Sequence, residues 1–199
     1  METEQLLIDF VLPKPQKNSI GFIQDIILVF SFSFLTALCA RIKIEIGAVP
    51  VTFQTFAVLL SGFLLGSIRG GLSQVLYLFW GLIGLPLFAR GGGIQYLLSP
   101  TFGYIIGFVF AAFLVGKLAE KGWDRNFMTS IFAMIVSNAL IYIFGLAWLA
   151  KFIPFENILK VGLYPFLVGD MIKILLVGLI FPSSWRLIRK FKGQRLNNL

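Results

Sequence analysis

Long runs of apolar residues, unbroken by a polar face, dominate the hydrophobic pattern of this chain. A helix needs about 20 apolar residues to cross a bilayer, whereas a membrane β-barrel requires strands in which polar and apolar residues alternate. The pattern therefore predicts an all-α integral membrane protein with six transmembrane helices. Their approximate bounds are Phe22–Ala40, Thr52–Gly66, Gly71–Phe88, Thr101–Leu118, Phe127–Leu149 and Val161–Trp185.

The polar stretches between these runs are short, which favours antiparallel neighbours in one compact bundle. Residues 1–20 are predicted to form an N-terminal cytoplasmic tail, residues 21–190 the six-helix membrane domain, and residues 191–199 a basic C-terminal tail. Six spans place both termini on one side. If that side is the cytoplasm, eleven Lys and Arg residues fall in cytoplasmic segments and five fall in outer loops. The positive-inside rule therefore predicts that both termini are cytoplasmic.

Composition narrows the function. Of 199 residues, 58% are hydrophobic and 13% are charged, and the mean hydropathy is +0.89; soluble domains carry about 25% charged residues. The chain has no histidine and a single cysteine, which excludes histidine-dependent triads, histidine-ligated zinc and iron–sulfur clusters. We therefore expect no enzyme activity, no metal and no cofactor. The net charge of +8 lies in loops and near the C-terminus, as in proteins that face anionic headgroups.

Small residues recur at intervals of four along three predicted helices. The three lines are Gly62, Gly66 and Gly70; Gly103, Gly107 and Ala111; and Ser33 and Ala37, which Arg41 follows at the same spacing. Such lines let helix backbones approach closely in lipid. Packing within the bundle is the simpler interpretation of all three. The line on the first helix also fits a docking surface for another membrane protein, and we expect it to face outward.

Two charged residues within the sixth run form the most specific polar signal. Asp170 and Lys173 lie three positions apart, so they share one face of a helix. Each costs about 2.5–3.5 kcal/mol in mid-membrane on insertion scales. The pair serves either structure alone or a ligand site, and intramembrane charges generally favour the second.

Two outer junctions hold further candidates. Gln54 follows Pro50 at the start of the second run and suits either a helix cap or a ligand contact. Arg90 precedes three glycines after the third run, and its guanidinium suits either a carboxylate clamp or an ordinary surface charge. Tyr77 and Tyr104 are candidates for an interfacial belt or a pocket wall.

Four blocks of sequence resemble one family. They are Val49–Gly66, Leu76–Ala89, Tyr142–Ala150 and Tyr164–Lys173. In order and content they resemble the BioY family, the biotin-specific membrane subunits (S components) of energy-coupling factor (ECF) transporters, over about residues 36–180. The block expected as Gly-Pro-Thr-Gly-Gly-Tyr departs from the family and reads Ser99-Pro-Thr-Phe-Gly-Tyr104.

The resemblance implies a six-helix bundle that captures biotin from outside a prokaryotic cell membrane. The resemblance also implies partnership with a membrane-embedded T component and two cytoplasmic ATPases. This chain has no ATP-binding motif, so any use of ATP must come from partners. Ser33, Ala37 and Arg41 would dock on the T component. By motif, the residues near biotin would be Asp170, Lys173, Gln54, Arg90, Tyr77 and Tyr104.

Biotin's chemistry fits these residues. Asp170 can accept from the ureido N–H groups, Lys173 or Gln54 can donate to the ureido oxygen, and Arg90 can bind the carboxylate. The alternatives are an S component for another small vitamin and a biotin facilitator that works without ATPases. An intramembrane enzyme or a membrane scaffold fits less well, because no nucleophile or metal cluster accompanies Asp170.

Overall fold

The apolar runs fold into helices that are joined by short turns. A computed structural model describes residues 6–12 and 18–197, with side chains for residues 6–12 and 19–190. The helices are α1 (Ile8–Val11), α2 (Asn18–Cys39), α3 (Gln54–Leu65), α4 (Ser67–Leu82), α5 (Phe102–Glu120), α6 (Phe127–Leu149), α7 (Ile158–Gly162) and α8 (Tyr164–Asn197). Strands β1 (Lys43–Ile44) and β2 (Val51–Thr52) form an antiparallel hairpin, and 3₁₀ turns occupy Ile94–Leu98, Trp123–Arg125 and Phe155–Asn157.

Four helical stretches in the described part of the chain are long and apolar enough to cross a membrane. They are Ser19–Cys39, Phe102–Glu120, Phe127–Leu149 and Phe155–Lys190. Helices α3 and α4 match the second and third predicted spans, but they have only 12 and 16 residues. The protein is therefore helical with several membrane spans, while two of the predicted six are shorter than the ~20 residues of a simple span.

A single glycine joins α3 to α4. Gly66 has a φ of 83°, a left-handed conformation that is costly for other residues, so the chain reverses in one residue. The sequence placed Arg69 in a linker here. The structure corrects this, because Arg69 lies in the first turn of α4 and forms ion pairs with Asp9 at 3.6 Å and Asp25 at 3.3 Å.

Part of the predicted N-terminal tail packs against the bundle. The side chains of Leu6 and Leu7 belong to the buried core, and Leu6 lies beside Gly66. The tail also includes residues 1–5 and 13–17, which lie outside the described residues. At the other end, α8 continues to Asn197 through the predicted C-terminal tail.

Helix α5 lies at the centre of the fold, against α3, α4 and α6. Two of the predicted small-residue lines produce close packing between helices, one between α3 and α4 and one between α5 and α6. A Cβ on Gly70 of α4 would lie 2.7 Å from the Cα of Gly62 of α3, and one on Gly107 of α5 would lie 2.8 Å from the Cα of Ile141 of α6. Real Cβ atoms do not approach that closely, so these glycines let backbones touch, as small residues do at membrane helix interfaces.

The small-residue line on α2 also packs inside the bundle, contrary to its predicted outward orientation. Ser33 is 2% exposed and Ala37 4%. Beside them, Thr36 shares a buried hydrogen bond of 3.3 Å with Gln74 of α4, which holds this face inward. Arg41 is exposed and donates to the carbonyl of Pro86. The outward face of α2 instead carries large apolar residues: Phe22, Ile23, Ile27, Phe30, Phe34 and Leu38.

Candidate ligand-binding site

A central cavity opens beneath the β-hairpin, between α3, α5, α6 and the start of α8. Its volume is about 40 Å³, smaller than the ~300–1,000 Å³ of small-molecule sites, so a ligand would have to move its walls apart. Most of its wall is apolar, with a few hydroxyl and amide groups. The lining residues are Val49, Pro50, Thr52, Gln54, Thr55, Ala89, Tyr96, Thr101, Tyr104, Ile105, Phe108, Ile141, Tyr142 and Phe166.

At the mouth, three charged residues join the hairpin to the loop that follows α4. We call Lys43, Glu45 and Arg90 the rim cluster. Arg90 donates to Glu45 Oε2 from Nε at 2.9 Å and from Nη2 at 2.6 Å, and to the carbonyls of Gly47 and Ala48 at 3.1 and 2.8 Å. Hydrogen bonds from Arg90 and Lys43 lower the pKa of Glu45 to about 2. These contacts hold the hairpin against the neighbouring loop.

Gln54 and Tyr77, both predicted as site residues, meet on one side of the cavity. Gln54 Nε2 donates to the Tyr77 hydroxyl at 2.6 Å, and that hydroxyl donates to the carbonyl of Leu87 at 3.2 Å. Gln54 lines the cavity, whereas Tyr77 is fully buried behind it. Tyr77 therefore positions Gln54 and does not itself line the cavity.

Tyr104 forms part of the opposite wall. Its hydroxyl donates to the carbonyl of Gly162 at 2.8 Å, which turns the polar end of the side chain toward α7 and leaves the ring against the cavity. Thr101 also lines this wall, and its hydroxyl donates to that of Tyr96 at 3.0 Å. This side of the cavity consequently presents mainly aromatic surface.

The predicted charge pair lies behind another part of the cavity wall. It belongs to a group that we call the buried cluster: Thr55, Asn138, Tyr142, Asp170 and Lys173. Lys173 Nζ lies 3.2 Å from Asp170 Oδ1, and both side chains are buried. Lys173 also donates to the carbonyl of Thr52 at 2.9 Å and to Thr55 Oγ1 at 2.8 Å.

Asp170 accepts hydrogen bonds from every other member of the buried cluster. Asn138 Nδ2 lies 2.7 Å from Oδ2, the Tyr142 hydroxyl bonds the same oxygen, and the Thr55 hydroxyl lies 3.4 Å from Oδ1. With Lys173, these are four donors for the roughly four lone-pair sites of one carboxylate. The carboxylate is therefore saturated.

A second opening, a groove between α6 and α8, reaches Asp170 from the outside of the bundle. Its volume is about 420 Å³, and Leu163, Leu167, Met171 and Leu175 lie along it. Asp170 and Asn138 line this groove and not the central cavity, whereas Tyr142 lines both. The Tyr142 side chain thus forms part of the partition between the two spaces.

The predicted site residues accordingly take different positions. Gln54 and Tyr104 line the cavity, Tyr77 and the Asp170–Lys173 pair stand behind its wall, and Arg90 lies on the rim. The sequence analysis did not select Thr55, Tyr142 or Glu45 as site residues. Asn138 and Tyr142 lie one helical turn apart on α6, and that spacing was an available signal for a face directed at Asp170.

Among the residues that the structure describes, no three His, Cys, Asp or Glu side chains are grouped so that they could hold a metal ion. The buried carboxylate has Lys173 as its counter-charge instead. The arrangement can bind a small, largely apolar molecule that carries a few hydrogen-bonding groups.

Comparison with known proteins agrees with this geometry. The model of the BioY family matches residues 12–190. The chain is 40% identical to the probable biotin transporter BioY of Pyrococcus horikoshii over 151 residues, which cover 75% of this chain and 89% of the relative. It is 37% identical to the biotin transporter BioY of Thermotoga maritima, also over 151 residues, covering 75% and 88%.

A solved structure resembles the whole fold. The crystal structure of the S-component for biotin from an ECF-type ABC transporter superposes with a TM-score of 0.72 at 25% sequence identity. The match covers 86% of this chain and 95% of the solved one. The likeness therefore extends over nearly all of both molecules.

Proposed function

This chain belongs to the BioY family of biotin transporters, which are not enzymes, and from that premise we propose that its central cavity captures biotin as the S component of an ECF transporter. One observation carries the proposal: apart from Gln54 and Thr101, the cavity is apolar and aromatic except for a hydroxyl wall backed by the Asp170–Lys173 pair. Biotin has the same division, with an apolar thioether ring fused to a polar cyclic urea.

In this proposal the ring system lies deep in the cavity and the carboxylate points to the mouth. The urea meets Thr55 and Tyr142, while Tyr104 covers the ring. The sequence analysis assigned Arg90 to the carboxylate, and in the structure Arg90 binds Glu45. Ligand binding would then require Arg90 to exchange one carboxylate partner for another.

We propose further that α3 and α4 complete six membrane spans, with both termini in the cytoplasm of a prokaryote. The bias of eleven against five basic residues supports this orientation. A T component and two cytoplasmic ATPases would be the partners, with ATP bound only by the ATPases and no cofactor on this chain. Because Ser33 and Ala37 are buried within the chain, they do not support direct docking on the T component.

Calorimetry with the purified chain in detergent tests the ligand. We expect one biotin per chain, with no binding of other small vitamins such as thiamine or riboflavin. Ile105→Trp should abolish binding because it fills the cavity, whereas Phe113→Trp on the lipid side of the same helix should not. Unimpaired binding by Ile105→Trp, with the variant folded, would place the site elsewhere.

Uptake assays test the partners. Cells that produce this chain together with a T component and ATPases should accumulate biotin only when ATP is available. Equal uptake by the chain alone would instead support a stand-alone facilitator. Preferential uptake of another vitamin would contradict the assignment of biotin while leaving the transporter class intact.

A further inference from the structure

We propose that a groove at one surface of the membrane, between the end of α6, α7 and the start of α8, binds one phospholipid with an ethanolamine headgroup. We call it the headgroup groove. None of the residues that line it belongs to the wall of the central cavity. The proposed lipid site is therefore separate from the proposed biotin site and does not depend on it.

The headgroup groove has the size and the composition of a binding site. Its volume is about 500 Å³, within the ~300–1,000 Å³ of small-molecule sites. Most of its wall is apolar, and it includes one acid and one base. The lining residues are Leu146, Ala147, Ala150, Phe155, Glu156, Ile158, Leu159, Lys160 and Tyr164. All of them except Ile158 are exposed or half-buried, so the groove opens to the surroundings of the bundle.

The headgroup groove lies at the level where the chain leaves the membrane. One apolar stretch that is long enough to cross a membrane ends there at Leu149, and the next begins at Phe155. Trp148 and Tyr164 flank the groove, and such residues are enriched at membrane–water interfaces. An occupant at this level meets water on one side and hydrocarbon on the other, which is the position of a phospholipid headgroup.

The charges in the headgroup groove match a zwitterion. Glu156 and Lys160 are both exposed, and neither has a hydrogen-bond or ion-pair partner among the described residues. Lys151, a third charged residue nearby, lies with Nζ 3.8 Å from the centre of the Trp148 ring and does not line the groove. One charge of each sign is therefore available. A ligand that carries both signs complements them, whereas an anion would face the Glu156 carboxylate.

Hydrogen bonding distinguishes between zwitterionic lipids. The phosphate can accept from Lys160, and the ethanolamine ammonium can donate to Glu156, which gives two charge-assisted hydrogen bonds. The quaternary ammonium of phosphatidylcholine has no N–H to donate. Phosphatidylglycerol has a phosphate for Lys160 but no cation for Glu156. Phosphatidylethanolamine is therefore the common phospholipid that uses both side chains.

The groove between α6 and α8 provides a path for the acyl chain below the headgroup. It has a volume of about 420 Å³, and Ala139, Leu163 and Leu167 line it. One leaflet contributes about 15 Å of hydrocarbon, which corresponds to about ten residues of helix. Ala139 lies ten residues before Leu149, where α6 ends. An acyl chain that starts at the headgroup groove therefore reaches this second groove within its own leaflet.

Native mass spectrometry of the intact chain, purified in detergent and stripped of lipid, tests the ligand. Phosphatidylethanolamine, phosphatidylcholine and phosphatidylglycerol with identical acyl chains are added at equal concentration, and the lipid retained per chain is measured. We expect one phosphatidylethanolamine per chain. It should be retained about 3- to 10-fold more than phosphatidylcholine, because one charge-assisted hydrogen bond separates the two lipids.

Two exposed substitutions test the headgroup contacts separately. Glu156→Gln should lower the preference for phosphatidylethanolamine over phosphatidylcholine to less than about 2-fold, since the anionic acceptor is lost. Lys160→Gln should weaken the retention of both lipids by about 3-fold or more and leave their ratio unchanged, because both carry the phosphate. Lys151→Gln is the matched control and should change neither quantity, because Lys151 does not line the groove.

A further pair of substitutions tests the groove itself. Ala147→Trp should abolish retention because the indole fills the groove. Ile143→Trp, one turn earlier on α6, is the control, since Ile143 is exposed and lines neither groove. Biotin binding measured by calorimetry should be the same in all of these variants, because none of the substituted residues lines the central cavity.

The remaining outcomes overturn the inference. Equal retention of phosphatidylethanolamine and phosphatidylcholine by wild type, or a preference for phosphatidylglycerol, contradicts the pairing of Glu156 with an ammonium. Unchanged retention by Ala147→Trp places the lipid elsewhere. A dimer that retains no lipid and that Ala147→Trp dissociates would assign the groove to a second copy of the chain. Failure of wild type to bind biotin contradicts the proposed function alone and leaves the lipid site in place.

Discussion

The rim cluster and the buried cluster each join a carboxylate to a base, but their surroundings differ. At the rim, Glu45 is exposed, and Arg90 bonds two backbone carbonyls as well as the carboxylate. In the interior, Asp170 and Lys173 are buried, and each bonds side chains from other helices. Exposed pairs contribute little to stability, whereas breaking a buried pair leaves an uncompensated charge. The same chemistry therefore holds two loops together at one depth and joins α3, α6 and α8 at another.

Removal of the buried base should have the largest effect. Lys173→Met leaves the Asp170 carboxylate without its counter-charge, so we expect a loss of about 3–5 kcal/mol in the free energy of unfolding. Titration with SDS in mixed micelles measures it. The double variant Asp170→Asn/Lys173→Met is the control and should recover most of the loss. Equal losses in both variants would show that packing, not charge, sets the cost.

A third carboxylate sharpens the contrast between burial and pairing. Asp124, in the turn between α5 and α6, is fully buried and accepts from Trp185 Nε1 at 2.5 Å, and burial raises its pKa from 3.8 to about 6. Since the folded pKa lies above the unfolded one, this group's contribution is present below pH 4 and is lost between about pH 4 and 6.

Asp124→Asn should therefore stabilise the protein at pH 8 by about 1–3 kcal/mol and change little at pH 4. Unfolding of both proteins across this pH range measures the difference. Glu120→Gln is a control at the same end of the bundle, because Glu120 is only partly buried and accepts from Ser67. An Asp124→Asn benefit that is independent of pH would contradict burial as the cause.

Disruption of the rim should cost much less. Arg90→Gln is expected to lower the free energy of unfolding by less than about 1 kcal/mol. In 1 M salt the Debye length is about 3 Å, so this difference should disappear while the effect of Lys173→Met persists. Unfolding at low and high salt checks both. A rim effect that withstands high salt would mean that the bonds to Gly47 and Ala48 carry most of it.

The smallest effect concerns pH at the rim. The pKa of Glu45 is lowered from 4.5 to about 2, so its contribution is present above about pH 4.5 and is lost only as pH falls through 2. Between pH 5 and 8, wild type and Glu45→Gln should therefore show parallel unfolding free energies. A difference that grows toward pH 5 would indicate that Arg90 does not hold Glu45 in solution.

The apolar runs predicted the helices well because burial in lipid leaves few alternatives for an apolar segment. They did not predict the single-residue turn at Gly66 or the β-hairpin, which depend on backbone conformation and on pairing between short polar segments. They also misplaced the outward face of α2. Small residues such as Ser33 and Ala37 allow another helix to pack closely, but the sequence does not indicate whether that helix belongs to the same chain or to a partner.

Within the site, contacts between residues close in sequence could be predicted, whereas contacts between residues far apart in sequence could not. The proximity of Asp170 and Lys173 follows from their spacing of three, and they form an ion pair. Thr55 and Tyr142 lie 115 and 28 residues from Asp170 along the chain, so only the tertiary fold joins them. The sequence analysis assigned Arg90 to a ligand carboxylate, and in the structure Arg90 binds the carboxylate of Glu45.

The bonds from Arg90 to Gly47 and Ala48 have an evolutionary consequence. Both acceptors are main-chain carbonyls, which every amino acid supplies. Mutation of the side chain at position 48 therefore leaves its bond to Arg90 in place, and position 47 is restricted mainly by its φ of 63°. The tip of the hairpin can vary in sequence while the anchor stays constant. For protein engineering, the tip of the hairpin is a segment in which residues can be randomised to change which molecules enter the cavity.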